Sequence, residues 1–325
     1  MQVKKFVVIG HVDTGKSCLC GHLLYKCGFI SDHEMNKIRE QAKRDKMEKW
    51  VWSRVLDIYE EEMLKGKTHE FNSIEFKYNN KDYQLIDTPG HQIFIRSMIE
   101  GISQEVDICV LLVSMIPNEF ESSFEKGMLK EHLLLARSIG IKNLIVIGNK
   151  MDAIKWEKKV YDNHIDKVTK FLKNIHWDKK NCHYIPISAF GGIGIDDTKD
   201  IPDWYTGKSF LETLETIKPK IKDHSATEVE YYCDSVIADL KLFNVKDIIV
   251  TNGFIMNCHY SGSEVECSIK KIKDKNIIKN AEVASCILKF SQKINVYKNM
   301  KLIFRKEDKT LGCGKIIKIS LKVKN

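Results

Sequence analysis

Gly10-His11-Val12-Asp13-Thr14-Gly15-Lys16-Ser17 follows the apolar run Phe6-Val7-Val8-Ile9 and precedes Cys18-Leu19-Cys20-Gly21-His22-Leu23-Leu24. The run before it reads as a buried parallel strand and the segment after it as a helix. A G-x-x-x-x-G-K-S spacing between a strand and a helix is the context expected of a phosphate-binding loop. Glycines let backbone N–H groups turn inward around phosphate oxygens, and the helix N-terminus adds partial positive charge. The expected cradle comprises Gly10, His11, Val12, Asp13, Thr14, Gly15, Lys16, Ser17 and Cys18. Within it, Lys16 is placed to reach β- and γ-phosphates, and the Ser17 hydroxyl to bind Mg²⁺. The plain alternative is a glycine-containing strand-to-helix turn with no ligand.

Strand and helix signals alternate through the first two-thirds of the 325 residues. A charged helical region runs from about Asp32 to Lys65. Asn79-Asn80 turns the strand Ser73 to Tyr78 into the strand Asp82 to Ile86, the composition of a tight hairpin. Val106 to Val113, Asn143 to Ile147 and His183 to Ile187 read as further strands, Trp156 to Ile175 as a long amphipathic helix, and Phe210 to Ile217 as a closing helix. From Val229 onward the segments are short and β-rich, with turns such as Asn252-Gly253 and Ser261-Gly262-Ser263. The expected fold is an α/β phosphate-loop domain, its mostly parallel sheet covered by helices on both faces, followed by one small antiparallel β-barrel. The expected boundaries are 1–220 for the first domain, 221–228 for a linker and 229–325 for the barrel.

The composition, 43% hydrophobic and 30% charged, permits a sizeable core and argues against wholesale disorder. Ten cysteines occur without a C-x-x-C pair. That argues against a zinc ribbon and fits free thiols in a reducing compartment. Phe6-Val7-Val8-Ile9 is too short for a signal-peptide core, and Ile108 to Val113 is too short to span a bilayer. A soluble cytoplasmic protein without a membrane partner is expected. Of the net charge of +8, residues 221–325 hold most, with 19 Lys and Arg against 12 Asp and Glu. Such a basic domain suits an acidic or nucleic-acid partner, or is simply a solvated lysine-rich face.

Three further stretches carry chemistry. Asp87-Thr88-Pro89-Gly90-His91 follows the strand ending at Ile86. There Asp87 can hold Mg²⁺, usually through water, and the Gly90 N–H can contact a γ-phosphate. Asn149-Lys150-Met151-Asp152 follows the strand Leu144 to Ile147, and its Asn149, Lys150 and Asp152 are candidate guanine-binding residues. The Asp152 carboxylate can accept hydrogen bonds from N1–H and the 2-amino group of guanine, and adenine lacks both donors. Lys150 can lie along the purine face, and the backbone N–H groups of Ser188, Ala189 and Phe190 can meet guanine O6. Thr68 is the candidate second hydroxyl on Mg²⁺, and His91 the candidate that positions an attacking water. Read singly, these are a turn, a helix cap, a threonine and a histidine; their meaning comes from their joint spacing.

That set, G-H-V-D-x-G-K-S with D-x-P-G-H and N-K-M-D, resembles the translational GTPases related to the elongation factor that delivers aminoacyl-tRNA. Further stretches resemble the eukaryotic release-factor GTPase branch: Lys65-Gly66-Lys67-Thr68 with Glu70, Glu119-Phe120-Glu121, Phe124-Glu125-Lys126-Gly127, and Asp203-Trp204-Tyr205-Thr206-Gly207. Elongation-type members usually carry an apolar residue where Lys67 stands, as half of a gate beside the catalytic histidine. Arg305 to Lys315 is similar to the end of the family's third domain. The resemblance implies GTP and GDP with Mg²⁺ as ligands, and GTP hydrolysis with His91 as the catalytic residue. The implied partners are the ribosome and a release-factor-like or rescue-factor-like protein. Two barrels normally follow the GTPase domain, whereas about one hundred residues remain here, room for one. The absent middle barrel counts against aminoacyl-tRNA delivery. It leaves open a GTP-binding regulator or decoy with little turnover, to which Met128-Leu129-Lys130 in place of the usual Q-T-R also points. A nucleic-acid-binding protein acting through the basic barrel is a further alternative.

Overall fold

A computed structural model of the chain describes residues 3–64, 73–86, 106–125, 129–219, 230–243, 248–261, 263–280, 282–307 and 309–319. The chain divides into two compact units, one built on a six-stranded sheet and the other on a barrel.

In the first unit, β1 (Lys4–Gly10) leads into α1 (Lys16–Lys26). The charged helical region contains two helices, α2 (Asp32–Arg44) and α3 (Val51–Leu64). Ser31 starts α2 with a capping box, its side chain and that of Glu34 exchanging bonds with each other's backbone N–H. Lys46, in the left-handed region at φ 56°, breaks the run between the two helices. β2 (Ser73–Tyr78) and β3 (Lys81–Ile86) form the expected hairpin, with Asn79 and Asn80 both at positive φ, as a type I′ turn requires. Then follow β4 (Ile108–Ser114), a short helix α4 (Pro117–Phe120), α5 (Leu129–Ser138), whose residues from Leu134 on are grouped with the second unit, and β5 (Asn143–Asn149). The unit closes with α6 (Lys158–Asn174), β6 (Cys182–Pro186) and α7 (Phe210–Thr216). Helix α6 begins two residues later than its sequence pattern suggests, because Lys155 and Trp156 both take left-handed backbone conformations.

The strand order is β2-β3-β1-β4-β5-β6, with only β2 antiparallel. All seven residues of β4 are buried, which requires cover on both faces of the sheet and explains the continuous apolar run. Phe6, Val8, Val110, Leu112, Ile145 and Ile147 face one layer, packed with Leu19, Leu23, Trp52 and Val55 of α1 and α3. Chain connections diverge to opposite sides of β1 and β4, the place where ligands bind in open α/β sheets. The loop after β1 lies there.

The second unit is a closed antiparallel barrel. Its members are β7 (Tyr231–Leu242), β9 (Ile255–Tyr260), β10 (Ser263–Ile272), β12 (Val283–Val296), β13 (Lys301–Lys306) and β14 (Lys309–Ile319). Alternate residues of β7 and β12, among them Val236, Ala238, Leu240, Cys286, Leu288 and Phe290, fill the interior. β12 is 14 residues long rather than short, because its pairing with β7 shifts register between Lys289 and Ile294 and then resumes. A two-stranded pair, β8 (Val250–Thr251) with β11 (Ile277–Ile278), is an addition that the sequence did not signal. The expected linker, 221–228, lies outside the described residues. All ten cysteines are free and six are buried. Among the described residues no helix is long and apolar enough to cross a membrane.

Candidate nucleotide-binding site

The loop after β1 turns at Asp13, φ 63°, and Gly15, φ 93°, and Gly15 is the N-cap of α1. Gly15 is required twice over. Its φ is one that side chains strain to adopt, and a Cβ there would stand 2.5 Å from Nδ2 of Asn149. His11, Val12, Asp13 and Ser17 are exposed, whereas Thr14 is buried and donates its hydroxyl to His11 O at 2.7 Å. Lys16 Nζ donates to Gly10 O and His11 O, both at 2.8 Å, holding the ammonium at the loop mouth. The first turn of α1 carries no acidic residue, so none of its own side chains offsets the positive end of the helix.

Asn149, at the end of β5, joins this loop to the second one. Its Nδ2 donates to Thr14 O at 2.7 Å and its Oδ1 accepts from the Ala189 N–H at 2.9 Å. Both ends of the carboxamide are thus engaged by backbone, and the residue is 2% exposed. Asn149 holds the two loops together; it does not itself reach outward. Lys150 follows at φ 65°, and its ammonium lies 2.7 Å from the Glu119 carboxylate of α4, which fixes the direction of the lysine stem. Phe120 beside it stacks on His164 of α6, centroids 4.0 Å apart, and so holds α4 in place. Met151 is buried and donates its N–H to Ile187 O, leaving Asp152 exposed. Burial, and then the Asp152 carboxylate, push the Cys18 thiol up to about 12, against the Lys150 ammonium.

The Ser188-Ala189-Phe190 loop closes on itself through the Ser188 N–H to Ile193 O at 3.1 Å and the Gly192 N–H to Ser188 O at 2.8 Å. Two side chains that the motif reading overlooks support it from beneath. His22 Nδ1 donates to Ala189 O and Trp52 Nε1 to Phe190 O, each at 3.0 Å. His22 lies on the apolar face of α1, where its sequence context reads as core. Burial pushes its pKa down to about 4; the Ala189 carbonyl and Asp196 pull it up, and Lys26 and Arg39 push it down. The imidazole is neutral in the folded protein, so its contribution to stability is complete above about pH 6.5 and is lost as the pH falls toward about 4. Thermal melts across that window are therefore expected to fall more steeply for the parent protein than for His22→Asn.

Thr68, Asp87, Gly90 and His91 lie outside the described residues. The remaining motif residues converge at the C-terminal ends of β1 and β5 and just beyond β6. In sequence, residues 1–238 match the model of the elongation factor Tu GTP binding domain. The chain belongs to that family. Curated relatives include the eukaryotic peptide chain release factor GTP-binding subunit of Dictyostelium discoideum, 38% identical over 216 residues, 65% of this chain and 39% of that protein. Elongation factor 1-alpha of Pyrobaculum islandicum is 38% identical over 213 residues, 65% of this chain and 48% of that protein. The matched region thus spans less than half the length of these two relatives. Among solved structures, the Ski7 GTPase-like domain of S. cerevisiae, bound to GDP and inorganic phosphate, has a TM-score of 0.78 at 16% identity. That likeness covers 96% of this chain and 97% of the yeast one, and it is one of fold. The matched model is that of the α/β domain, and among the described residues one barrel follows it in sequence.

Proposed function

We propose that the protein is a GTP-binding and GTP-hydrolysing translation factor of the release-factor-GTPase type, with residues 1–220 as its GTPase domain and 229–325 as a partner-binding barrel. The observation that carries this reading is the pair of hydrogen bonds made by the Asn149 side chain, one donated to Thr14 O and one accepted from the Ala189 N–H, which ties the phosphate loop and the base loop together. Gly10 to Cys18 hold the phosphates through backbone N–H groups, and Lys16 exchanges its loop carbonyls for phosphate oxygens. Asp152 reads the guanine edge, and the Lys150 stem covers the ring. Mg²⁺ suits the exposed Ser17 hydroxyl, because this ion takes one or two protein oxygens and completes its shell with phosphate and water. Thr68 and Asp87 are the further candidates. When bound, the ion neutralises charge on the phosphates; His91 orients the water that attacks. Direct competition among GDP, GTP and ATP for the site tests the reading, and equal binding of ATP and GTP overturns it.

The proposed place of action is the cytoplasm, in line with the free thiols. The proposed partners are a release-factor-like or rescue-factor-like protein and the ribosome. Exposed Lys270, Lys271 and Lys273 give the barrel a basic edge for ribosomal RNA. Contacts to RNA phosphates release counterions and weaken steeply with salt, whereas an apolar protein contact changes little. Charge reversal at these three lysines is expected to reduce ribosome co-sedimentation and its salt dependence, and to spare capture of an isolated release-factor-like protein. Loss of neither association on removal of residues 221–325 would overturn the role given to the barrel. A GTP-binding regulator with little turnover is the second reading, supported by Met128-Leu129-Lys130 before Glu131-His132. Ribosome-stimulated phosphate release separates the two.

A further inference from the structure

The carbonyls of two successive residues in the base loop are each held by a ring N–H, from two different helices. His22 of α1 takes Ala189 O and Trp52 of α3 takes Phe190 O. The two rings stack on each other, centroids 3.8 Å apart and 21° from parallel, and both residues are buried. The clasp has no slack. A Cβ on Gly21 would stand 2.0 Å from Trp52 O, and one on Gly192 would stand 2.3 Å from the His22 imidazole. Neither helix can approach closer, and the loop is pressed against the imidazole.

A trans peptide plane carries its C=O and its N–H in opposite directions. The plane that contains Ala189 O also contains the Phe190 N–H. Because His22 pins that carbonyl inward, it aims the Phe190 N–H away from the helix. The other two N–H groups of this loop are committed inside the protein, Ser188 to Ile193 O and Ala189 to Asn149 Oδ1. Phe190 itself is half exposed.

We propose that His22 and Trp52 are positioning residues of the base subsite, and that together they aim the Phe190 N–H at O6 of a bound guanine. This rests on the guanine-nucleotide reading above. It divides base recognition into two separable parts: O6 depends on the clasp beneath the loop, and N1–H and the 2-amino group depend on Asp152.

Three diphosphates separate these parts. 6-Thio-GDP replaces O6 by a larger and weaker acceptor, and IDP lacks only the 2-amino group. Their affinities, with that of GDP, are measured by calorimetry on the full chain, for the parent, His22→Ala, His22→Asn and Trp52→Phe. The parent is expected to prefer GDP over 6-thio-GDP by about tenfold, the scale of one good hydrogen bond. In His22→Ala that preference falls to about twofold or less, while the GDP-to-IDP ratio stays at the parent value. Trp52→Phe keeps the stacked ring and removes one N–H, so it shifts the same ratio less and remains informative should His22→Ala not fold. His22→Asn places an amide N–H near the position of Nδ1 and restores a large part of the preference. Retention of the parent GDP-to-6-thio-GDP ratio in both His22→Ala and Trp52→Phe overturns the proposal. So does an equal fall in both ratios, which marks a general loosening of the site. If the parent binds no GDP, the guanine reading itself fails, a result distinct from either of these.

Discussion

Asp152→Asn is expected to convert a guanine site into a xanthine site. Asp152 is exposed at the end of a turn that is otherwise tied down, through the Met151 N–H to Ile187 O and the Trp156 N–H to Met151 O. The side chain therefore changes chemistry without moving the backbone that presents it. In the proposed site the carboxylate accepts from both N1–H and the 2-amino group. Two charge-assisted hydrogen bonds of about 1.5–3 kcal/mol each imply a loss of GDP affinity on the order of 10²–10⁴-fold. The carboxamide introduced by the substitution can donate to the 2-oxo group of xanthine and accept from its N1–H, so XDP binding rises as GDP binding falls. Competition titrations of GDP, XDP and ADP read both changes. Unaltered GDP binding in the variant would remove Asp152 from base recognition. The phosphate loop and the His22–Trp52 clasp remain intact in this variant, so thermal stability without nucleotide should stay close to that of the parent.

His91→Ala should separate binding from turnover. His91 follows Asp87-Thr88-Pro89-Gly90, and in the family resemblance it orients water rather than nucleotide. GDP and GTP affinities are then expected to stay near the parent values, while ribosome-stimulated hydrolysis falls by roughly 10²-fold or more, the scale of a positioned proton-handling group. Single-turnover phosphate release with and without ribosomes measures it. Equal stimulated rates in parent and variant would take His91 out of the reaction. A parent that shows no stimulation at all favours the regulator reading, with its Met128-Leu129-Lys130 departure at the start of α5.

The phosphate loop was legible because its constraints are local. The glycine at position 15 answers a backbone φ and a contact at one point in the chain. The apolar run of β4, the paired asparagines of the β2–β3 turn and the serines that cap α2 and α7 likewise follow rules a few residues wide. The barrel is legible as short β-rich segments bounded by turn residues such as Asn252-Gly253, again a local signal. Element ends were less legible. The β12 register shift and the left-handed turn before α6 depend on what a neighbouring segment accepts.

At the site, the sequence alone determined which residue types were present and at what spacing, because the chemistry of phosphate and guanine restricts them to a few choices. Tertiary structure decided what each does. Asn149 belongs to the same motif as Asp152, but packing of Thr14 and Ala189 on its two sides leaves it a brace between loops. Lys150 is turned by Glu119, thirty-one positions earlier in the chain. His22 and Trp52 carry no motif at all, since a histidine and a tryptophan on apolar helix faces read as core. Only the folding together of α1, α3 and the segment after β6 brings their N–H groups to consecutive carbonyls. A buried carbonyl must be satisfied by some donor, but which donor satisfies it is a fact of three-dimensional packing, written at separations of 138 and 167 residues.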